Sequence, residues 1–275
     1  MLLKHIYKPV PFFLIAFFIT WISWFLSAFF SYKDGMAAYQ FAFLIFGLLG
    51  PATAAFIMMS SAKKKNLWKD FWSRLTLRTI RLKFWLVLFL LFPIALFAAT
   101  ALSLLFGQST TQFNFSAAIM LMKGYGISSV LILFAAPIFE ELGWRGYGVD
   151  SIRANFNILT TTLVFSLLWG LWHLPLFFIN GYYHHELWNT SVLYVINFFV
   201  SVVPASILMN WIYFSNRRNI IAAILFHCII NLFSAIFQTG QCTKCILTVL
   251  LVVVAAICFM MNKSFFLTRK AEKDF

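Results

Sequence analysis

The sequence predicts an all-α fold: a polytopic helical membrane bundle of eight transmembrane helices with both termini cytosolic. Three observations carry this prediction. Of 275 residues, 62% are hydrophobic and only 11% charged, with a mean hydropathy of +0.88, which lies outside globular composition and inside the membrane class. Eight stretches are long enough to cross ~30 Å of hydrocarbon at ~1.5 Å per helical residue. With the N-terminus inside, 18 of the 21 lysines and arginines fall on the cytosolic side; only Lys33 and Lys244 lie outside, and Lys123 lies within a span. The net charge of +13 therefore reads as orientation in a bilayer and excludes a nucleic-acid partner.

The first stretch, about residues 10–30, is of full span length and lacks a small-residue cleavage site, so it reads as an anchor and not as a cleaved signal peptide. The second covers 37–60. Between it and the third, the polar segment 61–83 carries eight basic residues, with Trp68, Phe71, Trp72 and Leu75 at helical spacing. That pattern suits a cytosolic amphipathic helix on an anionic lipid surface, or a solvated loop held inside by its charge. The remaining stretches are 84–106, 116–139, 158–179, 191–214, 219–237 and 245–262. All read as helices, because backbone groups in lipid must be satisfied internally and no segment alternates as a barrel strand does. With no internal repeat and no soluble domain, residues 1–275 form a single integral membrane domain.

Ionisable groups within spans are costly unless paired or hydrated, which makes each a functional candidate. Lys123, near the outer end of its span, can snorkel to water. In FEELGWRGYG, Glu141 and Arg145 stand at i, i+4 with the acid first, the order in which they neutralise each other on one helix face. Glu140 is rotated ~100° from Glu141, so it cannot share that partner and reads as a free carboxylate. Downstream, LLWGLWHLP carries His173, and ILFHCIINLF carries His227 with Asn231 one turn later on the same face. His227 lies ~12 Å past Asn219, whereas His173, counted from Ile158, would lie ~22 Å deep. The levels agree if residues 157–163 form a helical turn outside the lipid, and if the fourth helix runs on through Trp144 to about Gly148.

These residues resemble the motifs of the CAAX prenyl endopeptidase and bacteriocin-processing (CPBP, or Abi) intramembrane proteases: Glu140-Glu141-x-x-x-Arg145, Trp169-x-x-x-His173 and His227-x-x-x-Asn231. Trp169 stands where the family usually has Phe, a packing position that affects shape and leaves the chemistry intact. The resemblance covers residues 116–237, the protease core, and is greatest to the type II, Ras-converting branch and its archaeal homologues. It implies an endopeptidase that removes the C-terminal tripeptide of prenylated CAAX proteins. The implied partners are that substrate and membrane lipid, and the chain is expected to be a monomer. It is expected in the cell membrane of a prokaryote or the endoplasmic reticulum of a eukaryote. In this reading Glu140 and His173 activate water, His227 and Asn231 stabilise the oxyanion, and Glu141 with Arg145 orients them, with no cofactor.

The same residues admit a second chemistry, a zinc ion on Glu140, His173 and His227 acting on a prenylated or another membrane-associated peptide. HHELWN, residues 184–189, falls short of a zinc motif because Asn189 replaces the second His, and it is expected in a loop on the opposite side of the membrane. A transporter predicts inverted repeats and a polar pathway, neither of which is present. A scaffold or immunity protein without proteolysis has no need of the full polar set. Cys242 and Cys245, spaced C-x-x-C, and the remaining Cys228 and Cys258 have no setting of a nucleophile.

Overall fold

The computed structural model describes residues 7–62, 65–115 and 129–269; Lys123 and the first half of the predicted fourth span lie outside them. Helix α1 (Pro9–Ser31) opens on a proline in its first turn, where a missing N–H costs nothing, and is followed by a turn in which Gly35 takes φ +75°. The predicted second span is broken into α2 (Ala37–Leu48) and α3 (Gly50–Ser61), bent by 42°. Pro51 is the cause, because in the first turn of α3 it cannot donate to a continued α2 ladder. Gly50 lets this corner approach α1 closely: a Cβ there would stand 2.2 Å from Thr20 Oγ1.

Next come α4 (Lys65–Ser73), α5 (Leu82–Leu104) and a short turn at Thr110–Phe113. Helix α6 (Ser129–Gly143) continues through a π-helical turn (Trp144–Gly148) into α7 (Val149–Arg153). The extension expected beyond Trp144 is thus present, and it runs past Gly148 to Arg153. Helix α8 (Ile158–Trp172) is capped by Asn157, which accepts from Thr160 N at 2.8 Å, and is prolonged by a 3-10 turn (Leu174–Phe178). The chain ends with α9 (Tyr183–Thr190), α10 (Val192–Ser215), α11 (Ile220–Ile236), α12 (Gln241–Met261) and α13 (Lys263–Leu267).

Each predicted stretch coincides with helix where it is described. Among the described residues five helices are long and apolar enough to cross a membrane (α1, α5, α8 with its 3-10 turn, α10 and α12), or six if α2 and α3 form one broken span. Helix α11 is apolar but only 17 residues long. The helices pack as a closed circuit: α1 and α3, α3 and α6, α6 and α11, α11 and α5, α5 and α12, α12 and α10, α10 and α8, and α8 with its 3-10 turn back to α1.

Helix α4 does not present its whole apolar face outward. Leu67 and Phe71 are buried while Trp72 is exposed, and Phe71 lies so close to Gly146 that a Cβ there would meet it at 2.9 Å. Arg74, just beyond α4, locks this contact: it donates to Arg145 O at 2.8 Å and Gly146 O at 2.9 Å, carbonyls of the π turn.

Candidate functional site

A cavity of about 610 Å³ opens inside the circuit, lined by residues of α1, α2, α5, α6, α8, α9, α10, α11 and α12. Glu140, His173, His227 and Asn231 all line it, so the structure brings together the four residues that the sequence places on three separate segments.

Glu140, on the last turn of α6, is 5% exposed, and its environment is not that of a free carboxylate. Its Oε2 accepts from the Trp169 indole N–H at 3.0 Å and from that of Trp144 at 3.4 Å. Trp169 is therefore more than a packing residue, since a phenylalanine has no donor to offer. Both donors sit on one oxygen, and Oε1 has no hydrogen-bond partner among the described residues.

Glu141 points the other way, as the helical rotation requires. Its pairing with Arg145 is present, with Arg145 Nη1 at 2.9 Å from Oε1 and 2.7 Å from Oε2, both residues fully buried. What spacing did not disclose is a second partner: Glu141 Oε1 accepts from His227 Nδ1 at 2.9 Å, across 86 residues. Arg145 Nη2 also donates to Asn210 Oδ1 at 3.2 Å, and its guanidinium lies 4.9 Å from the Phe165 ring centroid. Thus Glu141 ties the α6 pair to α11 and holds the His227 ring.

Both histidines have a defined proton arrangement. His173 Nδ1 faces Trp169 O at 2.7 Å, and a carbonyl only accepts, so Nδ1 carries hydrogen and Nε2 is the ring's other pole. His227 Nδ1 likewise donates to a carboxylate, leaving Nε2 as its free pole. Asn231, one turn along α11, makes no side-chain hydrogen bond among the described residues. The Trp169 ring neighbours both histidines, 5.8 Å from His173 and 5.5 Å from His227 between centroids.

One cavity residue was missed. Residues 184–189 are not in a loop remote from the site; they form most of α9, whose His184 lines the cavity and stacks on His173 at 5.7 Å. Its signal in the sequence was present only as a near-miss to a zinc motif.

As for metal, no group of three or more His, Cys, Asp or Glu side chains among the described residues is placed to hold an ion. Glu140, His173 and His227 line one cavity, each engaged by a different protein partner. The cysteines are all free thiols, Cys242 and Cys245 included.

A family model described as type II CAAX prenyl endopeptidase, Rce1-like, matches residues 123–233. The CAAX prenyl protease 2 of the archaeon Methanococcus maripaludis is 36% identical over 267 residues, 97% of this chain and 98% of that protein.

Proposed function

The chain belongs to the Rce1-like family of type II CAAX prenyl endopeptidases, and from that premise we propose that it cleaves the C-terminal tripeptide from prenylated CAAX proteins within the membrane, by a glutamate-dependent mechanism without metal. The observation that carries the mechanism is Glu140: a buried carboxylate with one oxygen held by two indole donors and the other without a partner among the described residues, in a cavity shared with His173, His227 and Asn231.

Water binds between Glu140 Oε1 and His173 Nε2. Glu140 removes a proton as the water oxygen bonds to the carbonyl carbon of the prenyl-cysteine. The resulting oxyanion receives a hydrogen bond from the Asn231 amide and, when its ring is doubly protonated, from His227 Nε2. For His227 the second proton is necessary, because Glu141 already engages Nδ1–H. The C–N bond then breaks, the proton held by Glu140 passes to the leaving amine, and the products are a prenyl-cysteine carboxylate and a tripeptide. Arg145 and Glu141 hold the His227 ring and take no part in the proton transfer. The prenyl chain has an apolar wall in Leu44, Ile45 and Leu48 of α2 and in Ile132, Leu133 and Ala136 of α6.

The test is incubation of purified protein with a farnesylated CAAX peptide and its unprenylated twin, with products read by mass. Loss of the terminal tripeptide from the prenylated peptide alone is the expected result. Elemental analysis should find substoichiometric zinc, and exhaustive chelation should leave the rate unchanged. Stoichiometric zinc that is absent from a His227→Ala variant would refute the metal-free mechanism.

A further inference from the structure

The cavity continues beyond the four motif residues. Among the described side chains that line it there is one carboxylate, Glu140, and one ammonium, Lys244. Lys244 sits in the first turn of α12, half-buried, and forms no ion pair among the described residues. Its Nζ donates to Tyr183 OH at 3.2 Å and lies 4.4 Å from that ring's centroid. Between Lys244 and the motif stands His184, 8% exposed, with neither ring nitrogen hydrogen-bonded among the described residues. A continuous row results: His173 stacks on His184 at 5.7 Å, and His184 meets Tyr183 at 5.5 Å.

The axial offset between His227 and Lys244 can be read from the helices. His227 precedes the end of α11 at Ile236, and Lys244 follows the start of α12 at Gln241. Taking the two ends, joined by residues 237–240, at one level, a rise of ~1.5 Å per residue puts the side chains ~9 Å apart along the bundle axis. An extended peptide covers ~10 Å in three residues. An enzyme that releases a tripeptide must accommodate one terminal α-carboxylate at about that distance from the scissile bond. In a largely apolar cavity, that anion needs a cation.

We propose that Lys244 is the counter-ion for the free α-carboxylate of the leaving tripeptide, and that His184 is a hydrogen-bonding partner for the tripeptide beneath it. The inference rests on the proposed function and adds to it a ruler: cleavage is set three residues from the chain end because the oxyanion group His227 and the ammonium are offset by about that length along the bundle axis. It also gives Lys244 a reason to stand where the charge count of the sequence has an exception, on the side that holds only Lys33 besides.

The experiment compares one farnesylated peptide as its C-terminal acid and as its C-terminal amide. Wild-type protein should favour the acid by about tenfold or more in kcat/KM, the difference lying in KM, because a hydrogen-bonded charge is lost in the amide. Lys244→Gln should bring the acid-to-amide ratio near one, and Lys244→Arg should restore the preference. An unfolding temperature matched to wild type shows that the variant is folded. The same preference should be seen as binding to Glu140→Gln protein, where no turnover intervenes. Cleavage of both peptides with a ratio near one in wild type, or a preference that survives in Lys244→Gln, overturns the subsite while the protease reading stands. Absence of both cleavage and binding of either peptide overturns the protease reading, and the subsite with it.

Discussion

One helical run, α6 through the π turn to α7, carries three buried acids, and two of them, Asp150 and Glu140, have opposite surroundings. Asp150 is enclosed by charge: its Oδ2 accepts from Arg74 Nη1 at 2.9 Å, Arg218 Nη2 at 2.5 Å and Tyr213 OH at 2.9 Å. Asp70 adds a second carboxylate, at 3.0 Å from both Arg74 and Arg218, so two arginines meet two acids. Glu140, some three helical turns before Asp150, has only two neutral indole donors and forms no ion pair among the described residues. The difference separates structure from chemistry. A charge matched by charge ties segments together, here the segment after α4 to α7, α10 and the start of α11. A carboxylate held by weak donors on one oxygen keeps the other for a substrate or water.

Removing the matched acid should produce the largest effect on the fold. Asp150→Ala leaves Arg74 and Arg218 in the interior with the partly exposed Asp70 as their remaining described counter-charge, and breaking a buried pair in this way costs ~3–5 kcal/mol. The expected outcome is a sharp fall in folded yield and in the unfolding temperature in detergent. Unchanged stability would remove the distinction between the two acids.

Next in size is Asn231→Ala. Loss of an oxyanion donor costs ~3–4 kcal/mol in the transition state, so turnover should fall about a hundredfold or more with little change in KM and no change in unfolding temperature. A raised KM at constant kcat would make Asn231 a binding residue instead. Trp169→Phe should have a smaller effect. It keeps an aromatic ring in place and removes one donor to a charged oxygen, a hydrogen bond worth ~1.5–3 kcal/mol, so activity should fall about tenfold in a normally folded protein. Full activity would return Trp169 to the packing role that the sequence suggests.

Glu141 and Arg145 lie between the two regimes, fully buried and paired but touching the site through His227. Each single alanine substitution should lower both folded yield and activity. The double substitution should be milder than the sum of the two, with a coupling of ~0.5–3 kcal/mol. Strict additivity in the unfolding free energies would show the pair to be uncoupled.

Local signals disclosed much of this site. The i, i+4 pair of Glu141 and Arg145, the shared face of His227 and Asn231 and the extension of α6 past Trp144 follow from one helix at a time, where spacing alone decides direction. What spacing cannot reach are contacts made by tertiary packing: the bond of Glu141 to His227, the indole of Trp169 on Glu140, and the approach of α9 that brings His184 to His173. Arg74 and Arg218 entered the sequence reading as topology charges, although their partners in the interior are Asp70 and Asp150. The bend between α2 and α3 did have a signal, since Gly50-Pro51 interrupts an apolar run long enough to hide it.

The claim that Glu140 is the open acid on which the chemistry depends has a direct measurement: release of tripeptide from a farnesylated CAAX peptide by wild type and Glu140→Gln, purified in parallel and matched for unfolding temperature. Glutamine keeps the shape and the indole contacts but cannot take a proton, so the account predicts tripeptide from the wild type and almost none from the variant. Cleavage by Glu140→Gln within about threefold of wild type would contradict it.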